Sequence, residues 1–382
     1  MEYLLMNKDQ KDLVAMVHAL LEKELDSRVA ELDRIGEFPM DVAEKLGKMG
    51  FYGMTLPEKY GGAGLDPQTM VHISEAMAYH DAGFATSFSA QTFGTNAMMI
   101  AGTDEQINEF APRAANGEFW SMCITEPQSG SDAGNVKTKA RKDGDDYIIS
   151  GNKCFVTNGG ISNLFTVLAR TGEDTKGHNG LSLFIVEKNM PGVMVGKEED
   201  KMGMRLSNTT DLALDEVRVP KRNMIGKEGT GFSTVMKMLS RTRPTGMASA
   251  VGVGQKALDL AVDYCRTREA FGTKIGKFEG LQFKLADMEM KLQCCRSQLQ
   301  YAAELVSQGN YNTLVGSATK LFVSEAVLDI TLQAQQIYGG YGYSKEYPLE
   351  KLVRDARLFS IFEGSSEIQR FIIGNTLVGK LK

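Results

Sequence analysis

The chain has 382 residues, 42% hydrophobic and 24% charged, with a net charge of -5, a size that needs more than one core and a balance ordinary for a soluble globular enzyme. This charge offers no electrostatic footprint for nucleic acid or for an anionic membrane. Cysteines at 123, 154, 265, 294 and 295 form no CxxC pair, no stretch approaches about twenty apolar residues, and the N-terminus lacks the regions of an export signal, so a reduced, cytoplasmic chain without a membrane span is expected.

From Lys8 to about Leu25, Leu13, Val14, Met16, Val17, Leu20 and Leu21 fall at helical spacing. Pro39 fits the first turn of a second helix through Val42, Leu46 and Met49, and the turn-forming run 57–64 precedes another helical stretch. From about Trp120 to Pro220 the texture changes to short β-rich runs: Tyr147 to Ile149, Phe165 to Leu168, Leu183 to Val186, and the alternating Leu212, Leu214, Val217 and Val219. Without long helices between them, these predict an antiparallel barrel or sandwich rather than a doubly wound parallel sheet. No GxGxxG follows a strand, and the 226–231 loop lacks Walker spacing. After Phe232 helical periodicity returns around 233–267, 277–306 and 313–338, which predicts a bundle. The expected fold class is therefore α+β and multi-domain: an N-terminal helical domain (1–118), a central antiparallel β-domain (119–227) and a C-terminal four-helix bundle (228–382).

The chemistry-bearing residues lie at the seams of this pattern. His18, His72, His80 and His178 are scattered and near no serine or cysteine motif, which argues against a metal centre or a histidine triad. Glu363 stands between Phe362 and Gly364; apolar company raises a carboxyl pKa toward that of a usable general base. The competing reading is that Ser365 and Ser366 cap a last helix, with Glu367 in its first turn. Met122 to Asp132 carries hydroxyls and turn residues suited to a flat polar ligand, and Gly151 to Gly160 places Phe155 two positions before Thr157. With Arg268 to Gly272 and Gln336 to Tyr343 these make five motifs in a fixed order.

On those motifs the chain resembles the acyl-CoA dehydrogenase family over nearly its whole length. The resemblance implies FAD between the middle and last domains, an acyl-CoA substrate, electron-transferring flavoprotein as partner, and a homotetramer built as a dimer of dimers. It implies that Met122, Ile124 and Thr125 face the flavin edge, that Ser131 contacts cofactor or substrate, and that Phe155 and Thr157 lie against the isoalloxazine ring. It further implies that Arg268, with Gln336, Gly339 and Gly340, meets the diphosphate of a neighbouring subunit's FAD, and that Ser365 and Glu367 sit near its adenosine end. Arg243 and Gly364 are expected on the substrate side, with Glu363 removing the α-proton of the thioester to leave the 2-enoyl-CoA.

Two positions bear on variation within that family. Thr242 stands where a minority of members carry the base, which leaves the role to Glu363, and Phe84 stands about where members acting on glutaryl-CoA carry an arginine, which disfavours a free dicarboxylate. Phe84, Phe88, Gln91 and Thr92 are candidates for the acyl pocket, although two phenylalanines at helical spacing are commonly core. One departure stands out: Glu279 replaces the family's usual FAD-binding glutamine, and a carboxylate beside a diphosphate repels it unless paired. An enoyl-CoA reductase running in reverse, or a non-catalytic flavin- and CoA-binding assembly protein, are the alternative functions. Acyl chain length, branching and ring content are not legible in the sequence.

Overall fold

The computed structural model describes residues 6–172, 175 and 177–379. The N-terminal third is helical: α1 (Lys8–Glu24), α2 (Val29–Ile35), α3 (Met40–Leu46), α4 (Pro67–His80), α5 (Ala82–Ala101) and α6 (Asp104–Ala115). Asn7 and Gln10 cap α1 reciprocally, and Val14, Val17 and Leu21 are buried along one face. The second helix is shorter than its spacing predicts. Pro39 is the residue before α3, and beyond Leu46 the chain widens into a π turn (Gly47–Phe51) broken by left-handed Gly50 (φ 93°), and Met49 is exposed.

The middle of the chain forms one sheet of β1 (Trp120–Cys123), β2 (Lys139–Asp143), β3 (Asp146–Thr157), β4 (Leu164–Arg170), β5 (Leu181–Glu187), β6 (Val193–Glu198), β7 (Thr209–Pro220) and β8 (Met224–Ile225). The order is β6-β7-β3-β2-β4-β5-β8, with β1 also on β4. Pairing is antiparallel as expected, except that β4 runs parallel to β1 and to the end of β2. The long β2–β3 hairpin intervenes between β1 and β4, so their connection is a crossover and permits the parallel direction.

The C-terminal domain comprises α7 (Gly231–Thr267), a small hairpin of β9 (Glu269–Ala270) and β10 (Thr273–Lys274), then α8 (Glu279–Ser307), α9 (Thr313–Tyr338), α10 (Leu349–Phe359) and α11 (Ser366–Val378). Val253, Ala257, Leu292, Leu299, Val323 and Ile330 form part of its core. Small residues let α7 approach α4: a Cβ on Gly252 would fall 2.2 Å from the Glu75 carbonyl oxygen.

The three domains meet at a buried charge cluster. Asp81 caps α5 through the Phe84 amide (2.7 Å) and pairs with Lys351 of α10 (2.5 Å). Lys351 also pairs with Asp355 (2.5 Å), whose second oxygen accepts the Met204 amide of the β-domain (2.5 Å). Burial alone would lower the Lys351 ammonium, but the Asp355 and Asp81 carboxylates outweigh it and hold it above its usual range.

Candidate active site

Glu363 sits on the turn between α10 and α11, in a left-handed backbone conformation (φ 54°) followed by Gly364 at φ 89°. Such a conformation is costly for a residue with a side chain and persists where surrounding contacts over-determine it. Here Gln369 of α11 does so, its Nε2 donating to the Gly364 carbonyl at 2.9 Å and the Glu363 carbonyl at 3.4 Å. Ser365 caps α11 by accepting the Ile368 amide, so the capping alternative and the exceptional carboxylate coexist.

The turn aims Glu363 at α7. A Cβ on Gly246 would lie 2.9 Å from Glu363 Oε1, so this glycine leaves room for the carboxylate. Oε2 is buried and has no hydrogen-bond partner. Burial raises the carboxyl pKa to about 7, against the opposing pull of Arg243 and Lys320. Arg243, one turn before Gly246 on α7, is 5% exposed with an unpartnered Nε, rather than on the surface where arginines commonly lie. Burial lowers its pKa, while Glu363 raises it. Thr242 is buried and donates its hydroxyl to the Met238 carbonyl (3.1 Å), so it brings no carboxylate to this junction.

The β-domain residues gather at one edge. Met122 is on β1 and Ile124 and Thr125 follow it; the Thr125 carbonyl accepts the Cys154 amide of β3 (2.9 Å), bringing that segment beside Phe155 and Thr157. Phe155 is left-handed (φ 54°) and 66% exposed, an uncovered aromatic face at the strand end. Glu126 anchors the loop that carries exposed Ser131: its carboxylate accepts the Lys137 amide (2.7 Å), the Thr138 amide and hydroxyl, and buried Lys153 Nζ (2.7 Å). Although burial alone would raise its pKa, Lys153 and the Thr138 hydroxyl hold it below the usual carboxylate range. The motif's glutamate is thus a loop anchor.

A second cluster lies at the far end of α7. Arg268, Gly339 and Gly340 line a cavity of about 600 Å³ with Tyr264, Tyr338, Tyr341 and Glu346. The Arg268 guanidinium lies over the Tyr341 ring at 5.6 Å. Exposed Gln336 is not among the lining residues; its carbonyl accepts the Gly339 amide at the end of α9. Arg243 and Arg268 are separated along α7 by about 37 Å at the helical rise, so one subunit does not bring Arg268 to its own Glu363. Exposed Glu367 interacts with Arg370 (3.9 Å), which reaches Glu325 of α9 (3.4 Å).

Glu279 is exposed as the first residue of α8, where its charge suits the helix dipole. That gives the departure from glutamine a local benefit at the expense of a nearby anion. Glu279→Gln is expected to leave FAD retention equal or tighter, as read by flavin release during dialysis at low ionic strength; looser retention would refute the repulsion argument. Phe84 and Phe88 are core: Phe84 stacks on Phe38 (5.7 Å) and on Phe88 (5.9 Å), and Phe88 on Tyr52 (5.7 Å). Gln91 and Thr92 are also buried and donate to carbonyls of their own helix.

The residues present fit a long cofactor with a flat end and an anionic middle. An uncovered phenylalanine beside a strand-end threonine suits the ring, and a guanidinium next to two glycines suits the phosphates. Sequence reasoning missed Gly246 and Lys320. The available signals were the run of small residues after Pro244 and the single lysine of α9, Lys320.

Comparison with known proteins agrees along the whole chain. The family models for the acyl-CoA dehydrogenase N-terminal, middle and C-terminal domains match residues 7–118, 121–217 and 229–378. An acyl-CoA dehydrogenase of Bacillus subtilis (strain 168) is 40% identical, over 97% of this chain and 98% of its own. Butyryl-CoA dehydrogenase from Megasphaera elsdenii is 36% identical with a TM-score of 0.95, covering 99% of this chain and 100% of that one. A chain of the structure described as an electron transferring flavoprotein of Acidaminococcus fermentans gives the same identity, TM-score and coverage.

Proposed function

Given that the chain belongs to the acyl-CoA dehydrogenase family of FAD flavoproteins, we propose that Glu363 abstracts the α-proton of a saturated acyl-CoA thioester, giving the trans-2-enoyl-CoA. The observation that carries this reading is a carboxylate with one oxygen buried and unpartnered and a pKa raised to about 7, aimed at a glycine on the facing helix. A base poised at working pH combines the correct protonation state with sufficient proton affinity. The Glu363 amide makes no backbone hydrogen bond among the described residues, so it is available to the thioester carbonyl as charge develops there. Gly364 adds no side chain to the approach, and Arg243 supplies positive charge on the substrate side. Bound FAD supplies the acceptor for the hydride that leaves the β-carbon. Met122, Ile124, Thr125, Ser131, Phe155 and Thr157 would hold its ring end, and Ser365 and Glu367 its adenosine end. Arg268, Gln336, Gly339 and Gly340 would hold the diphosphate of a neighbouring copy.

The 37 Å separation supports a site shared between subunits, as in a homotetramer assembled from dimers. Phe271 (96% exposed) and Tyr343 (85% exposed), close in sequence to that cavity, are large aromatics left uncovered. An electron-transferring flavoprotein is the proposed acceptor of the electrons. Unpaired cysteines favour the cytoplasm as the site of action; no helix among the described residues is long and apolar enough to cross a membrane. Anaerobic titration of the flavin protein with saturated acyl-CoAs of different length and branching tests the reaction: bleaching by one class identifies the substrate, and none with any thioester refutes the reading.

The pH dependence follows in sign. Only ionised Glu363 accepts a proton, so kcat/KM is expected to fall as pH drops through an acid limb near 7, about tenfold per unit below it. Stopped-flow bleaching across pH 5.5 to 9 reads the limb directly.

A further inference from the structure

Lys320 is a buried charge to which the reaction described above gives no task. It lies on α9 among apolar and small residues, and its Nζ is enclosed without a hydrogen-bond partner. Its place in the molecule is fixed by neighbours on three elements. Gly316, one turn earlier on α9, faces α7 closely: a Cβ there would lie 3.8 Å from Arg243 Cδ. Residues four apart share a helix face, so Gly316 and Lys320 present one face toward Arg243. The charged groups that act on Lys320 are Glu363 on the α10–α11 turn, Arg243 on α7, Glu325 on α9 and Glu367 on α11. Glu325 also holds Arg370 (3.4 Å), which ties α11 against α9 beside the turn. Ser317 Oγ, next to Gly316, is likewise buried and unpartnered.

We propose that Lys320 is a positioning residue for the catalytic carboxylate, an enclosed ammonium on α9 that with Arg243 keeps Glu363 ionised in its buried setting. The proposal rests on the reading of Glu363 as the base and adds the group that makes a buried base usable. Neither Lys320 Nζ nor Glu363 Oε2 has a hydrogen-bond partner, so the ammonium acts through space and leaves the carboxylate free to meet a substrate. A direct ion pair would occupy the lone pair that must take the proton. Burial pushes Glu363 toward the neutral form, and the two cations push it back. When Glu363 takes up a proton, two cations remain buried without an anion between them, an arrangement that disfavours holding the proton and favours its later release.

The test compares Lys320→Met and Lys320→Arg with the parent in the flavin-loaded protein. Loss of the positive charge disfavours the carboxylate, so the acid limb of kcat/KM is expected to move up by about one pH unit. Activity then falls about tenfold on the acid side of the parent limb and less on the alkaline plateau. Lys320→Arg keeps the charge and is expected to keep the parent limb. Independently of turnover, the carboxyl stretch of protonated Glu363, identified by its disappearance in Glu363→Gln, is titrated by difference infrared spectroscopy and is expected to shift by the same amount. A Lys320→Met protein whose carboxyl band titrates at the parent midpoint overturns the proposal even if turnover falls. Where Lys320→Met does not fold, Lys320→Gln removes the charge with a polar chain and carries the same titration. Undiminished bleaching in Glu363→Gln would instead refute the base assignment, whatever Lys320 does to the band.

Discussion

Glu363→Gln is expected to slow anaerobic flavin bleaching by a saturated acyl-CoA about a thousandfold, while the protein still folds and retains FAD. A positioned general base contributes about two to four orders of magnitude, and Thr242, the other family position for the base, holds its hydroxyl against the Met238 carbonyl. The amide keeps the shape that faces Gly246 and removes only proton affinity. The same substitution carries a stability signature. Burial lifts the folded-state pKa from 4.5 to about 7, so the native state binds the extra proton between those values. Stability of the parent therefore falls as pH rises through that window and levels off above it, at a cost of about 3 kcal/mol. Glu363→Gln lacks that loss. Its melting temperature should match the parent near pH 4.5 and exceed it increasingly up to pH 7, and a gap that stays flat across the window would contradict the burial of this charge.

Lys351→Met is expected to be the most destabilising single substitution among the polar residues considered, by about 3–5 kcal/mol. Lys351 neutralises both Asp81 and Asp355 at 2.5 Å, and each of those carboxylates also receives a backbone amide, from Phe84 and Met204 respectively. Methionine matches the stem but leaves two enclosed carboxylates facing each other. Burial already pushes Asp355 above its usual range with the lysine present, so the variant should recover stability on acidification as the pair takes up a proton. Equilibrium denaturation at pH 5 and pH 8 measures this. A loss below about 1 kcal/mol at pH 8 would mean that water reaches the cluster. The expected damage reaches all three domains, because this cluster ties α5, α10 and the β6–β7 connection together.

Much of the architecture is legible in the order of residues because hydrophobic period is a local property. The stretches predicted around 233–267, 277–306 and 313–338 become α7, α8 and α9, and the apolar runs at 165–168 and 183–186 lie in β4 and β5. The parallel pairing of β4 with β1 is not local and left no trace in spacing. The candidate site divides in the same way. Glu363 announces itself through Phe362 and Gly364, its neighbours in the chain. Arg243 is marked only by the family resemblance, its burial against α9 having no local signal, and Gly246 and Lys320 gain meaning only from helices remote in sequence. Phe84 and Phe88 show the converse, since helical spacing admits pocket or core and the stacked rings of Phe38 and Tyr52 decide for core. The left-handed backbone at 363 follows from the Gln369 contacts and has no counterpart in propensity.

That left-handed pair of residues changes what it costs to aim the base. A long flexible carboxylate on a regular helix gives up rotamer freedom each time it is held in a reactive pose. At Glu363 part of the aiming is done by the main chain, whose φ of 54° and the following 89° are clamped by Gln369 before any ligand arrives. The ordering entropy is then spent once, during folding, and is not charged to each turnover. Gly364 is the enabling residue: a side chain there would meet Gln369 Nε2 at 2.7 Å and dislodge the clamp together with the base it steadies.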